Sequence, residues 1–202
     1  MIDAYSQEKV LFLKNNRLIR VILVVGFLLL GIGVRLIDLS DPPLDFAATR
    51  QLHSLVLARG YYYAMDVPST QALPAEQRAF GIKAANNEAF DEPPILEHIT
   101  AYVYAMAGKE NFEIPRVMVS LLWVIGGIPL FLLMRKISST NGAVFAMAFY
   151  ELLPFGVIAS RSFQPDPVMV TLTLFRCFSN IAGCKRIPSR MLSWQAFLPA
   201  WQ

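Results

Sequence analysis

Carboxylate and guanidinium side chains occupy two short polar segments that adjoin long apolar runs. Asp41 and Asp45 stand in the segment 38–46 (DLSDPPLDF), and Arg161 and Asp166 bound the segment 161–166. A carboxylate within hydrogen-bond reach of a hydroxyl can accept its proton or orient it. An arginine can stabilise a phosphate through two parallel hydrogen bonds. These residue types suit the activation of a hydroxyl beside an anionic leaving group.

Several of these residues also have a simpler structural interpretation. Asp45 has the residue type and position of a helix N-cap, and Asp166 precedes a proline at the start of an apolar run. Arg116 opens another apolar run and can anchor it at the interface. Glu151 lies within an apolar run, where a polar contact inside the bundle is favoured over a proton relay. Because His53 and His98 have no partner at ligand spacing, no metal-binding residues are predicted. No cofactor is expected, and the need for a metal is left open.

The composition predicts an integral membrane protein. The 202 residues are 55% apolar and 16% charged, whereas soluble domains are roughly 45–50% apolar and about 25% charged. The mean hydropathy is +0.45. This composition excludes disorder, and a net charge of +3 is too small to indicate a nucleic-acid partner. Cys177 and Cys184 fit no metal or redox spacing and are interpreted as ordinary thiols.

Four apolar stretches are candidates for membrane spans, which need about 20 apolar residues. They are residues 18–37, 117–134, 140–160 and a marginal stretch at 167–184. Arg20 and Arg35 lie near the ends of the first stretch, where both side chains can extend to the interface. The predicted fold class is therefore all-α and integral to the membrane, with about four transmembrane helices.

The loop 38–115 is predicted to carry two interfacial helices. Residues 46–59 have apolar positions at helical spacing, and Gly60 closes this helix. Residues 95–108 are too short for a span and suit a helix in the interface, with Tyr102 and Tyr104 at headgroup level. The polar stretch 66–89, with Pro68 and Pro74, predicts a loop.

Basic residues set the expected orientation. Lys9, Lys14 and Arg17 favour a cytoplasmic N-terminus over residues 1–17. If the segment 95–108 lies flat on the membrane, Arg135 and Lys136 are cytoplasmic, and so is the basic and aromatic tail 185–202. If the segment 95–108 crosses the membrane, Arg135 and Lys136 lie outside. The positive-inside rule favours the flat helix. The loop 38–115 and the turn 161–166 then face outward across a plasma membrane.

The order of these motifs resembles the GT-C glycosyltransferases. The shared features are an acidic outer loop after the first span, an amphipathic helix ending in Ala-x-Gly, a Pro-Pro-Ile element, Pro-Arg opening a span, and Arg-x-x-x-Pro-Asp. The nearest branch is similar to the protein O-mannosyltransferase and aminoarabinose lipid A transferase superfamily. The resemblance covers roughly residues 18–175 and implies the N-terminal module of an enzyme that moves a sugar from a polyprenyl-phosphate donor.

The resemblance implies roles for individual residues. Asp45 resembles the family's catalytic aspartate, although Phe46 stands where many relatives have a second acidic residue; Asp41 is the candidate for that second carboxylate. Arg161 and Asp166 resemble the second outer-loop motif beside the active site. The remaining candidates bind the donor. Glu92 occupies the place of a lysine that contacts the lipid phosphate in some members, and the arginines available for the phosphate are Arg50, Arg116 and Arg161.

The length supports a competing interpretation. Members of this family are much longer, with ten or more spans, and the residues after Phe178 become polar and basic, as in a truncated product. The alternative is a non-enzymatic membrane scaffold or an inactive fragment. A transporter has little support, since paired helices broken at mid-membrane by Gly or Pro are not evident. The expected partners are membrane lipid, a polyprenyl-phosphate sugar and an acceptor whose class is open.

Overall fold

The computed structural model describes residues 17–89 and 92–183, and every regular element in these ranges is helical. The predicted N-terminal segment before residue 17 and the tail 185–202 lie outside the described residues. The helices are α1 (Arg17–Arg35), α2 (Ala48–Ala64), α3 (Pro68–Gln71), α4 (Ala75–Asn87), α5 (Ile95–Ala107), α6 (Glu113–Ile137), α7 (Thr140–Leu152), α8 (Pro154–Arg161) and α9 (Asp166–Gly183).

Among the described residues, two helices are long and apolar enough to cross a membrane, α1 and α6. The predicted span 140–160 is divided at Pro154 into α7 and α8, which meet at an angle of 55° and together have the length and apolarity of a third crossing. Helix α9, predicted as a marginal span, carries Asp166 and Arg176 and does not belong to this set. The all-helical architecture with its two long apolar helices is compatible with a membrane protein, and the count of four spans remains a prediction.

Helix α6 is the centre of the bundle and packs against α1, α7, α8 and α9. The inner core consists of Phe131 from α6 with Ala143, Val144 and Met147 from α7, and side chains of α1 pack against it. Many apolar side chains of α1 stay exposed, as expected for a helix that contacts lipid. The bundle therefore holds α1 by one face only.

A second core lies at the other end of α6, where α2 and α5 pack together. It contains Tyr62 and Tyr63 of α2, Tyr104 of α5, Val119 of α6 and Phe163. Tyr104 is 2% exposed, so the expectation that it sits at headgroup level is wrong; Tyr102 is exposed. This core fixes the two predicted interfacial helices against the bundle.

The structure corrects the prediction of a loop at 66–89, because α3 and α4 occupy most of it. Helix α4 packs on α2 through small residues: a side chain added at Gly60 would collide with Ala85, and one at Gly81 would collide with Tyr63. Gly60 therefore lies inside α2, which continues to Ala64, instead of closing it.

Candidate active site

Arg116 holds the loop that follows α1. Its side chain lies in the first turn of α6 and is 1% exposed. Nη1 donates hydrogen bonds to the carbonyl oxygens of Leu39 (2.8 Å) and Asp41 (2.7 Å). Nη2 lies 3.7 Å from Oδ2 of Asp45. One buried guanidinium thus fixes the segment 39–45 at three points.

Asp45 is not a helix cap. Helix α2 begins at Ala48, and its N-cap residue is Ala47, which has a left-handed backbone (φ 46°) and makes no capping bond with a side chain. The Asp45 side chain is 38% exposed on one side and faces Arg116 on the other. Its carboxylate is thus held by a cation while remaining accessible to a second molecule.

Gln51 joins this loop to the segment 161–166. It is fully buried on α2, donates from Nε2 to the carbonyl oxygen of Phe46, and accepts from the backbone N–H of Phe163 at 3.2 Å. The face of α2 predicted to be apolar is buried only in part: Leu57 is buried and Leu52 is exposed. The buried positions also include the polar residues Gln51 and Ser54. Sequence reasoning missed Gln51 because it did not expect a polar residue on the buried face of a helix.

Arg161 makes a second contact between the two segments. Its Nη2 donates to the carbonyl oxygen of Asp38 at 3.0 Å. Asp38 has a positive φ of 50°, as does Ala47 at the far end of the loop. Non-glycine residues in this region cost of order 1–3 kcal/mol each and persist where surrounding contacts hold them. For Asp38, Arg161 supplies such a contact directly, and Arg116 holds the residues that follow it.

Arg50, Glu92 and Asp166 form a second cluster beside the first. Arg50 lies in the first turn of α2 and pairs with the carboxylates of Glu92 and, at 3.3 Å, of Asp166. All three side chains are about half exposed. Asp166 also begins α9, as its structural interpretation predicted, and its role in a site stays a prediction. The cluster joins α2 to the segment before α5 and to α9.

A large apolar cavity of about 1000 Å³ opens beside Arg50. Arg50 and Glu92 belong to its polar end, whereas Asp41, Asp45, Arg116 and Arg161 do not line it. The walls come from α2, α5, α6 and α9 and are mainly aliphatic, including Leu57, Leu96, Ile99, Leu122, Val168 and Leu172. A cavity with apolar walls and a charged rim suits an amphipathic ligand.

Further polar groups line this cavity near its rim. Ser54 Oγ donates to Oε1 of the mostly buried Glu97 at 2.7 Å, and His53 Nδ1 lies 2.8 Å from Oε2 of Glu88. Sequence reasoning singled out neither pair, because their members are 43 and 35 residues apart. The presence of hydroxyl, imidazole and carboxylate groups allows hydrogen bonding to a polar head group as well as to a phosphate.

A stacked aromatic pair joins α2 to α5. The rings of Tyr61 and His98 have centroids 3.9 Å apart. Burial, together with the negative charge of Glu97, raises the pKa of Tyr61. The Tyr61 hydroxyl therefore keeps its proton at neutral pH.

All seven predicted site residues fall in these two neighbouring clusters. Asp41, Asp45, Arg116 and Arg161 lie in or against the loop after α1, with Asp41 contributing its backbone carbonyl. Glu92 and Asp166 meet at Arg50, which lines the cavity with Glu92. Three contacts join the segment 38–51 to the segment 161–166, namely Asp38 with Arg161, Gln51 with Phe163 and Arg50 with Asp166. In the described ranges, no group of three or more His, Cys, Asp or Glu side chains is arranged to hold a metal ion.

Residues 91–200 match a protein family described as Dolichyl-phosphate-mannose-protein mannosyltransferase. The matched range covers more than half of the chain and contains Glu92, Arg116, Arg161 and Asp166, whereas Asp45 precedes it. No curated protein and no solved structure matches the chain.

Proposed function

The chain belongs to the dolichyl-phosphate-mannose-protein mannosyltransferase family of membrane glycosyltransferases, and from this premise we propose that it transfers a sugar from a polyprenyl-phosphate donor to an acceptor hydroxyl at the outer face of the plasma membrane. The observation that carries the proposal is the meeting of the Asp45 loop with the Arg161–Asp166 segment, next to an apolar cavity whose rim carries Arg50.

In this proposal the donor lies with its prenyl chain in the cavity and its phosphate at the rim. Arg50 is the ligand of the bound donor phosphate, since it lines the cavity and is 44% exposed. Arg161, which does not line the cavity, stabilises the charge that develops on the phosphate as the sugar leaves. The donor phosphate displaces one of the two carboxylates that pair with Arg50. Glu92, which stands in the place of a lysine, orients Arg50 instead of contacting the phosphate, because two anions repel each other.

Asp45 acts as the general base. It takes the proton of the acceptor hydroxyl while the oxygen attacks the anomeric carbon of the donor. The bond from that carbon to the phosphate oxygen breaks, and its electron pair leaves with the polyprenyl phosphate, whose charge the arginines stabilise. Arg116 is too deeply buried to reach a donor and instead positions Asp45, and Asp166 positions Arg50. Asp41 supplies the second carboxylate beside the acceptor.

The contacts at the helix ends support alternating crossings of the membrane. Asp38 follows α1, Arg161 ends α8, and Arg116 lies in the first turn of α6. Because these residues contact one another or the same loop, the end of α1, the start of α6 and the end of α8 lie together. This agrees with three alternating crossings, and the basic residues Lys9, Lys14 and Arg17 favour a cytoplasmic start for the first of them.

Helix α5 has a surface suited to the interface. Ile95, Ile99, Tyr102 and Met106 recur at helical spacing along α5 and are all exposed, with Met106 at 88%. An exposed apolar stripe of this kind favours a helix that lies flat against lipid. A flat α5 leaves Arg135 and Lys136 on the cytoplasmic side.

A transfer assay tests the proposed activity. Membranes from cells that make this chain are incubated with polyprenyl-phosphate mannose labelled in the sugar and with hydroxyl-bearing peptides or glycolipids. We expect label in one acceptor class, above the level in membranes that lack the chain. Absence of transfer to every acceptor, with the folded chain present, would favour the non-enzymatic scaffold.

Cysteine labelling in intact cells tests the orientation. With Cys177 and Cys184 replaced, a single cysteine at the exposed position Ser40 should react with a membrane-impermeant maleimide, whereas one at Ser138 should react only after the cells are lysed. The reverse pattern would place the Asp45 loop in the cytoplasm and exclude an outer-face reaction.

A further inference from the structure

A buried ion pair joins the bundle to the candidate active site. Arg35 ends α1 and Glu151 lies near the end of α7, and both side chains are fully buried with Nη1 and Oε2 3.3 Å apart. Arg35 Nη1 also donates to the carbonyl oxygens of Gly31 (2.7 Å) and Glu151 (3.0 Å). The interpretation of Glu151 as a polar contact inside the bundle is confirmed, whereas the expectation that Arg35 extends to the interface is wrong.

Two glycines make room for the Glu151 carboxylate. A Cβ at Gly31 of α1 would lie 2.6 Å from Oε2, and a Cβ at Gly127 of α6 would collide with Oε1. The carboxylate therefore sits between α1 and α6 at positions where neither helix has a side chain. By contrast, a Cβ at Gly33, two residues further along α1, would meet no atom within 4 Å.

The same arginine reaches the segment that carries Arg161. Nε of Arg35 donates to Ser160 Oγ at 2.7 Å, and the next residue, Arg161, donates to the carbonyl oxygen of Asp38 at 3.0 Å. Both contacts therefore join the segment 35–38 to residues 160–161. Glu151 holds Arg35, and Arg35 thereby sets where the Asp45 loop begins relative to Arg161.

We propose that Glu151 and Arg35 are positioning residues for sugar transfer, which hold the Asp45 loop and Arg161 in the alignment that the reaction needs. This inference rests on the proposed function. Neither side chain lines the apolar cavity, so the pair acts on the alignment of reacting groups and leaves donor binding alone. Misplacement of a reacting group by about 1 Å can cost on the order of 10²-fold in rate.

The sharpest test is Gly31→Ala, with Gly33→Ala as its matched control on the same helix. The added methyl at residue 31 displaces the Glu151 carboxylate without changing any charge. We expect kcat for transfer to fall by about 10- to 100-fold with donor KM unchanged. The control should keep both values. Equal kcat in the two variants would overturn the inference.

A double variant separates positioning from folding. Arg35→Met with Glu151→Met removes both charges and leaves no unpaired ion in the bundle, so the chain should fold more stably than with Glu151→Met alone. We expect kcat to stay low in the double variant because the contact with Ser160 is also lost. A thermally stable double variant with wild-type kcat would show that the pair is structural only.

Hydrogen exchange gives a readout that does not depend on activity. In Gly31→Ala the backbone amides of residues 38–47 should exchange faster than in the wild type, and in Gly33→Ala they should not. If the wild-type chain transfers no sugar and yet this difference is observed, the proposed function is wrong, whereas the pair is still shown to hold the Asp45 loop in place. If the two variants exchange alike, the positioning role is wrong whatever the activity.

Discussion

Replacing Arg116 by methionine should destabilise the Asp45 loop, because this arginine of α6 holds the loop at three points. Methionine keeps much of the length and apolar contact of the arginine stem in the first turn of α6. It removes the guanidinium that bonds to the carbonyl oxygens of Leu39 and Asp41 and faces Asp45. The loop then loses its attachment to the bundle on that side.

The magnitude follows from the two carbonyl contacts. A hydrogen bond to a charged group contributes about 1.5–3 kcal/mol, so two contribute about 3–6 kcal/mol. Leu39 is partly exposed and Asp41 is exposed, so water replaces part of the loss. We therefore expect the free energy of unfolding to fall by about 3 kcal/mol. For a chain of this size that corresponds to a decrease in Tm of about 6–12 °C.

The assay is thermal unfolding of the detergent-solubilised chain, followed by tryptophan fluorescence. Arg116→Lys should give an intermediate decrease, because an ammonium group keeps the charge but not the planar geometry that reaches two carbonyls. Arg176→Met, on the exposed surface of α9, serves as the control for losing an arginine. A Tm for Arg116→Met equal to that of the control would refute the role assigned to this side chain.

Three further changes test other parts of the site. Gln51→Leu leaves the buried N–H of Phe163 without its acceptor, which costs about 1–3 kcal/mol, and Tm should fall by about 2–12 °C; an unchanged Tm would contradict the bridging role. Arg50→Gln removes two exposed ion pairs worth about 0–1 kcal/mol each, so Tm should change little while donor KM rises about tenfold; an unaltered KM would remove Arg50 from the donor site. Leu122→Trp fills part of the apolar cavity and should raise KM for long prenyl donors more than for short ones; equal KM changes would argue that the prenyl chain binds elsewhere.

Long apolar runs made the two spanning helices predictable. Residues 18–37 and 117–134 have few charges, and α1 and α6 occupy them to within a few residues. The stretch 66–89 was mistaken for a loop because its proline and asparagine residues suggest turns. What makes α4 stable is close packing of Gly81 and Ala85 against α2, and this contact between distant segments leaves no apolar periodicity in the sequence.

The charged residues were also predictable only in part. Motif order was enough to bring Asp45 and Arg161 into neighbouring segments that the structure joins. It was not enough to find their fixed partners, because Arg35 meets Glu151 across 116 residues and Gln51 meets Phe163 across 112. Local rules suggest that a terminal arginine extends to water and that an aspartate before a helix caps it. In this fold tertiary contacts override both rules.

The most direct test of the account is the rate of sugar transfer by Asp45→Asn. Asparagine keeps the shape of the side chain but cannot accept the proton of the acceptor hydroxyl. The account predicts a fall in kcat of about 10²- to 10⁴-fold with donor KM unchanged, and wild-type kcat for Glu76→Gln, an exposed carboxylate on α4. A wild-type kcat for Asp45→Asn would contradict the assignment of Asp45 as the base and with it the proposed active site.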